Sequence, residues 1–316
     1  MRITVLDGNA LNPGDLSWSP LERLGELTVY PRTEESKVIE RMAGSEAVLL
    51  NKISITEEIL TACPSLRYIG VQATGYNVID VEACRRHNVT VTNVPSYSTA
   101  GVAQLTMAFI LEAACRTHAH TQSVMSGDWT RAEDFCYQKA PLTELDGKTL
   151  GIFGYGSIGK RVEKIARALG MNTIVCTRTP SPQTEHPVNF ETLLKESDIV
   201  SLHAPLTPQT SGIINAGTLS LMKGTAWLIN TARGALVDEE ALADALKCGR
   251  ISFYACDVVR EEPMSPSNPL LTVPQDRIII TPHIAWAAKE TRQRLLDEVA
   301  ENLRSFQNGK LRNAVT

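Results

Sequence analysis

The sequence has no large excess of either charge, no long unbroken apolar run and no paired cysteines. Lys and Arg number 31 and Asp and Glu 35, a formal net charge of −4. That balance gives no electrostatic reason to expect a nucleic acid or an anionic membrane as partner. The most apolar stretch, residues 100–115, is broken by Gln104, Thr106 and Glu112, which excludes it as a membrane span. The opening residues, MRITVLDG, read directly as a strand and have neither the basic start nor the apolar run of a secretory leader. A cytoplasmic location is expected. The seven cysteines form no C-x-x-C pair and are odd in number, so free thiols are expected rather than disulfides or a metal site. Internal repeats and low-complexity segments are also missing.

What is present is alternation. The 316 residues suffice for two domains. β-like runs at 3–6, 27–30, 47–50, 68–71 and 89–92 are separated by helical patterns at 34–42, 56–62 and 79–87. After a Pro/Ser break at 94–99, one long apolar helix is expected over 100–118, followed by a polar and aromatic stretch, 123–146, with the character of a lid, arm or interface element. A second series follows, with strands at 149–153, 173–176, 199–203, 226–230, 253–257 and 278–281. Its helices are expected at 158–169, 190–195, 216–222 and 239–248, and a final helix at 289–308. Such alternation implies parallel strands joined by right-handed crossovers.

The chain is organised around GIFGYGSIGKRVEKIARALG, residues 151–170. An apolar strand runs into Gly154, Gly156 and Gly159, spaced G-x-G-x-x-G, and a helix with Val162, Ile165, Ala166 and Leu169 on one face follows. In that context the glycines serve three physical ends, namely a tight turn, close approach of backbone to a pyrophosphate, and packing of helix on strand. The helix start turns free N–H groups toward the phosphate. The turn itself, with Tyr155, Ser157 and Ile158, is therefore a candidate dinucleotide site; the alternative is a merely structural turn.

Ligands of open α/β sheets bind beyond the carboxyl ends of the strands. Reading past each expected strand end gives Thr231, Ala232 and Arg233, then Asp257 with Glu261 and Glu262, then His283. Singly, the Arg reads as a surface cation, the acids as solvated loop charges and the His as a core residue. Jointly, they supply what carbonyl reduction needs besides a hydride: a proton donor near neutral pH, a carboxylate to orient it, and a planar fork for a substrate carboxylate. His203, with Pro205 in the same turn, has no evident acid partner and reads as a support near the cofactor.

These stretches resemble the D-isomer-specific 2-hydroxyacid dehydrogenases. The resemblance is carried by GIFGYGSIG (151–159), HAPLTPQT (203–210), INTARGALVDEEAL (229–242), DVVREEP (257–263), TPHIAW (281–286), ATGYNVIDVEACRRHNVTVTNVP (73–95) and VAQLTMAFIL (102–111), which together cover nearly the whole chain. It implies that Arg233 binds the substrate carboxylate and carbonyl, that Glu262 pairs with His283, and that His283 gives and takes the proton. It further implies that Asp257 holds the nicotinamide carboxamide and that backbone amides at Thr74 and Gly75, with Asn51 nearby, take the substrate carboxylate. The expected fold is α/β, with two doubly wound parallel-sheet domains. These are a flavodoxin-like substrate-binding domain (1–98 plus 287–316) and a Rossmann nucleotide-binding domain (99–286). Relatives are typically homodimers, which makes 123–146 the expected dimerisation arm. ATGYN, NKISIT (51–56) and DFCYQKAP (134–141) resemble the glycerate dehydrogenase, or hydroxypyruvate reductase, branch.

One departure concerns the cofactor. An NAD site usually has Asp or Glu about twenty residues after the glycines, to hold the adenosine ribose. Here the second strand ends in Thr177, Arg178 and Thr179, which suit a 2′-phosphate, so NADP is expected over NAD. The other functional reading is a dinucleotide-sensing binding protein without catalysis. A family member acting on another 2-keto acid, as in D-lactate or phosphoglycerate enzymes, also stays open. The intact Arg233, Glu262 and His283 set favours an oxidoreductase.

Overall fold

The computed structural model describes residues 1–178, 184 and 186–316. Contacts divide the chain into two units, Met1–Ser98 with Trp286–Thr316, and Thr99–Ala285. The first unit is built on strands β1 (Arg2–Val5), β2 (Glu26–Val29), β3 (Ala47–Leu50), β4 (Tyr68–Val71) and β5 (Thr90–Thr92). They lie parallel in the order β2-β1-β3-β4-β5. β3 shows why the sheet is covered on both faces. Val48 and Leu50 enter one apolar layer with Val38, Met42 and Leu60, whereas Ala47 and Leu49 enter the other with Leu295, Leu296, Val299 and Leu303. That second layer is supplied by the final helix, Lys289–Gln307. Arg292 fixes this helix through a bidentate pair with Asp15, both bonds at 2.7 Å.

The second unit continues with β6 (Thr149–Phe153), β7 (Asn172–Cys176), β8 (Ile199–Leu202), β9 (Trp227–Asn230), β10 (Phe253–Cys256) and β11 (Ile278–Ile280), again all parallel. The order is β11-β10-β9-β8-β6-β7. A Rossmann sheet carries two strands outside its first, and here β7 is the only full one among the described residues. The place of the other is taken by a parallel bridge between Val175 and Pro187. One face is covered by the helices Thr99–Cys115 and Ser157–Ala168, through Met107, Ile110, Val162 and Ala166. The other is covered by Leu193, Leu194, Leu219, Leu242 and Leu246.

The doubly wound α/β architecture and all eleven strands stand where the sequence places them, within a residue or two at each end. Two local expectations need correction. The single helix expected over 100–118 is two, Thr99–Cys115 and Thr117–Met125, because Arg116 sits at φ +49. Its guanidinium lies 4.8 Å from the Phe253 ring centroid and donates to the Asp276 carbonyl at 2.7 Å, and these contacts accompany a conformation a helix interior does not take. The start of 123–146 is accordingly helical, and a short 3₁₀ turn, Trp129–Arg131, follows. Among the described residues no helix is long and apolar enough to cross a membrane.

Candidate active site

The second unit gathers the candidate residues along the carboxyl edge of its sheet. β6 runs into Gly154, β7 into Thr177 and Arg178, β8 into His203, β9 into Thr231, β10 into Asp257 and β11 into the turn holding His283. Thr179 lies outside the described residues.

At the switch point, between β6 and β8, the three glycines differ in the space around them. Gly154 has φ +96, and a Cβ there would come within 2.5 Å of the Ala204 amide nitrogen, so the β6 and β8 ends approach this closely only with glycine. A Cβ on Gly159 would strike the Gly154 carbonyl oxygen at 2.4 Å. At Gly156 nothing lies within 4 Å of a Cβ position. The turn is therefore open at Gly156 and closed behind it, and it leads into the helix Ser157–Ala168, whose first N–H groups have no partner within the helix. Open space before a glycine turn and a helix start fits a dinucleotide pyrophosphate. The Tyr155 side chain packs on the core and gives its phenol proton to Glu163.

His203 follows β8. Its Nε2 is 2.9 Å from Ser201 Oγ, and its Nδ1 is buried with no partner among the described residues. Burial pushes the imidazole down to about 4, so it is neutral at physiological pH. The Pro205 carbonyl in the same turn accepts from Thr210 Oγ1 at 2.8 Å.

Arg233 is exposed, and its Nη1 donates to the Ala232 carbonyl at 2.7 Å. The turn that presents it is shaped by Asn230, whose side chain accepts from Ala232 N–H at 3.0 Å and donates to the Arg233 carbonyl at 2.9 Å. Thr231 is buried, with its hydroxyl 2.9 Å from that of Thr106. The next residue, Gly234, lies against Val259 and Arg260 so closely that a Cβ would sit 1.9 Å from the Val259 carbonyl carbon. This close fit holds the Arg233 turn against the loop that carries Glu262. Glu239 braces the same loop, accepting from Arg260 N–H at 2.7 Å and from Asn268 Nδ2 at 2.8 Å.

Nδ1 of His283 lies 2.7 Å from Oε2 of Glu262, and both side chains are about one-third exposed. His283 has φ +54, a left-handed conformation that is uncommon for a residue with a side chain and clusters at functional sites. Asp257 secures that turn. Its buried carboxylate accepts from Thr281 Oγ1 at 2.5 Å and from the N–H groups of Ile284 and Ala285, both at 2.8 Å. The Asp257 carbonyl also takes the His283 N–H at 2.8 Å. Asp257 therefore supports the loop under His283; Oδ1 accepts two of these bonds, and Oδ2, with one, can accept a further donor.

In the first unit, Asn51 is buried and gives its amide N–H to the Gln72 carbonyl at 2.9 Å. The Thr74 hydroxyl donates to the Val94 carbonyl at 2.8 Å and Asn93 Nδ2 donates to the Thr74 carbonyl at 2.7 Å, which fixes the loop containing Gly75. Sequence reasoning missed Asn230, Gly234 and Glu239. Asn230 acts within its own turn, on Ala232 and Arg233, whereas Gly234 and Glu239 act through contacts more than twenty residues away in sequence.

The family model for the D-isomer specific 2-hydroxyacid dehydrogenase NAD-binding domain matches residues 107–285. The whole chain is 43% identical to a hydroxypyruvate reductase of Blautia hydrogenotrophica, over 99% of that protein. A glycerate dehydrogenase of Methylorubrum extorquens is 39% identical over 88% of each chain. A solved acyclic imino acid reductase in complex with NADPH and D-arginine is 30% identical and superposes over the full length of both chains with a TM-score of 0.86. The chain belongs to the D-isomer-specific 2-hydroxyacid dehydrogenase family, oxidoreductases that act on a CH–OH group with a nicotinamide dinucleotide.

Proposed function

We propose that this protein reduces hydroxypyruvate or glyoxylate to D-glycerate or glycolate, that it prefers NADPH to NADH, and that Arg233, Glu262 and His283 carry the reaction. The observation on which this rests is the 2.7 Å contact of His283 with Glu262 on the sheet edge that also carries Arg233 and the open glycine turn. The substrate assignment is supported by the hydroxypyruvate reductase and glycerate dehydrogenase relatives, which match the chain over most of its length.

The bound dinucleotide supplies the hydride. His283 gives the proton on its outer nitrogen, Nε2, to the oxygen of the 2-keto group, and in the reverse direction takes it from the hydroxyl. Glu262, on Nδ1, holds the ring in the plane that this transfer needs and faces the charge the ring carries. Arg233 grips the substrate carboxylate with two parallel N–H groups and polarises the carbonyl. Thr74 and Gly75 amides, with Asn51, are assigned to the carboxylate as well. Asp257, besides holding the His283 loop, is assigned the carboxamide. The Gly154–Gly159 turn is assigned the pyrophosphate, with His203, Pro205, Thr231 and Ala232 as further cofactor residues.

Arg178 supports the NADPH preference. It is exposed, has no ion pair among the described residues, and stands where an NAD site has a carboxylate. We further assign a cytoplasmic homodimer joined through residues 123–146. Met125, Trp129, Phe135 and Leu142 are exposed there, and Phe135 is 89% exposed, as expected of a surface that a second copy covers.

The experiment is an initial-rate comparison of NADPH and NADH with hydroxypyruvate, glyoxylate and pyruvate. Fastest turnover with NADPH and hydroxypyruvate or glyoxylate is expected. Preference for NADH overturns the role given to Arg178, and preference for pyruvate overturns the substrate assignment.

A further inference from the structure

The helix after the glycine turn buries mostly small or apolar residues, Gly159, Val162 and Ala166, together with one acid, Glu163. Glu163 is 7% exposed. Its Oε1 accepts from Arg167 Nη2 at 3.0 Å and from Thr173 Oγ1 at 3.1 Å, and its Oε2 accepts the Tyr155 phenol proton. Arg167 Nε in turn donates to Thr173 Oγ1 at 3.0 Å. Burying a carboxylate is costly even when its lone pairs are met, and a well-packed apolar residue often serves stability as well or better. The carboxylate thus gains its clearest purpose from what it holds.

What it holds is the centre of the glycine turn. Tyr155 has a glycine on either side, so the sequence leaves the backbone there more conformational freedom than larger neighbours would. The Tyr155 side chain is the anchor of this segment. Its ring packs on the core, Lys160 Nζ lies 5.5 Å from the ring centroid, and its hydroxyl ends on Glu163. Through Thr173 the same carboxylate reaches the start of β7, the strand that ends at Thr177 and Arg178.

We propose that Glu163 is a positioning residue for dinucleotide binding, fixing the pyrophosphate turn through Tyr155 and tying it to the ribose-side strand through Thr173. This inference rests on the reading of the turn as the dinucleotide site. Order imposed on the turn during folding need not be imposed again when the ligand arrives, so the network strengthens binding without touching the ligand.

The test uses the full-length enzyme and the variants Tyr155→Phe, Glu163→Gln and the double variant. NADPH and NADH binding is followed by nicotinamide fluorescence, with KM, kcat and thermal midpoint measured in parallel. Tyr155→Phe removes a single oxygen and is expected to raise the dinucleotide Kd and KM about five- to tenfold, with the loss on KM rather than kcat. In the double variant the two losses are expected not to multiply, since both remove one link. Should Glu163→Gln fail to fold, Tyr155→Phe alone carries the test. Unchanged Kd in a folded Tyr155→Phe, or a lowered thermal midpoint with dinucleotide affinity intact, overturns the inference. Failure of the unaltered enzyme to bind either dinucleotide overturns the cofactor reading itself.

Discussion

His283 Nδ1 and Glu262 Oε2 stand 2.7 Å apart although 21 residues separate them in sequence, and each is held by its own loop. The His283 turn hangs on the Asp257 carboxylate, and the Glu262 loop is braced by Glu239 and packed on Gly234. Glu262→Gln keeps the shape and removes the charge facing the imidazole. Its kcat is expected to fall by about a hundredfold, with dinucleotide affinity retained. Steady-state rates together with a binding titration check this, and an unchanged kcat removes Glu262 from the mechanism.

Gly234→Ala is expected to be disproportionately harmful for one methyl group. The added carbon cannot fit beside Val259, so the Arg233 turn and the Glu262 loop must part. A stability loss of about 1–3 kcal/mol is expected from overpacking, with a substrate KM raised more than the dinucleotide KM. Urea unfolding and initial rates separate the two effects.

Acid sensitivity should trace in part to His203. Burial pushes its imidazole down to about 4, whereas an unfolded chain protonates near 6.5. Between those values the unfolded state holds more protons, so this contribution is present at neutral pH and is lost as pH falls from about 6.5 toward 4. Its full size is about 3 kcal/mol. Unfolding free energies of His203→Gln at pH 7 and pH 4.5 should differ less than those of the unaltered protein. An identical pH dependence would show that His203 is not held neutral.

Gln72 is fully buried at the end of β4, and neither its side-chain nitrogen nor its oxygen has a partner among the described residues. Gln72→Met keeps the length and removes both polar atoms. A gain of about 1–2 kcal/mol in unfolding free energy is expected, since an unpaired buried amide costs about that much. A loss instead would mean that the amide is hydrogen-bonded in solution.

Arg178→Ala should lower kcat/KM for NADPH by about tenfold or more and leave NADH nearly unaffected, as expected for loss of a charge-assisted contact to a 2′-phosphate. Equal losses with both dinucleotides would place Arg178 elsewhere than at the ribose.

The architecture was legible in the sequence because it rests on local regularities. Runs such as AVLL and LGIF lack polar side chains, as strands buried on both faces do, and the glycine turn sits between a strand and an amphipathic helix. Arg233, Glu262 and His283 could be singled out because strand ends in such sheets face the ligand. What could not be read were the long-range fits. Arg116 breaks a pattern that looks like one continuous helix, in a left-handed conformation accompanied by contacts with Phe253 and Asp276. Gly234 looks like an ordinary turn residue until Val259 is seen against it. Asp257 carries the residue type expected of a ligand contact, yet its carboxylate is largely engaged in holding the neighbouring loop.

The most direct test of the account is hydroxypyruvate reduction by His283→Ala, measured beside the unaltered enzyme at saturating NADPH, with NADPH affinity determined on the same samples. A fall in kcat of about a thousandfold or more, with affinity for NADPH nearly intact, is the predicted result. Turnover preserved in His283→Ala would contradict the assignment of the proton to His283, and with it the role given to the pair it forms with Glu262.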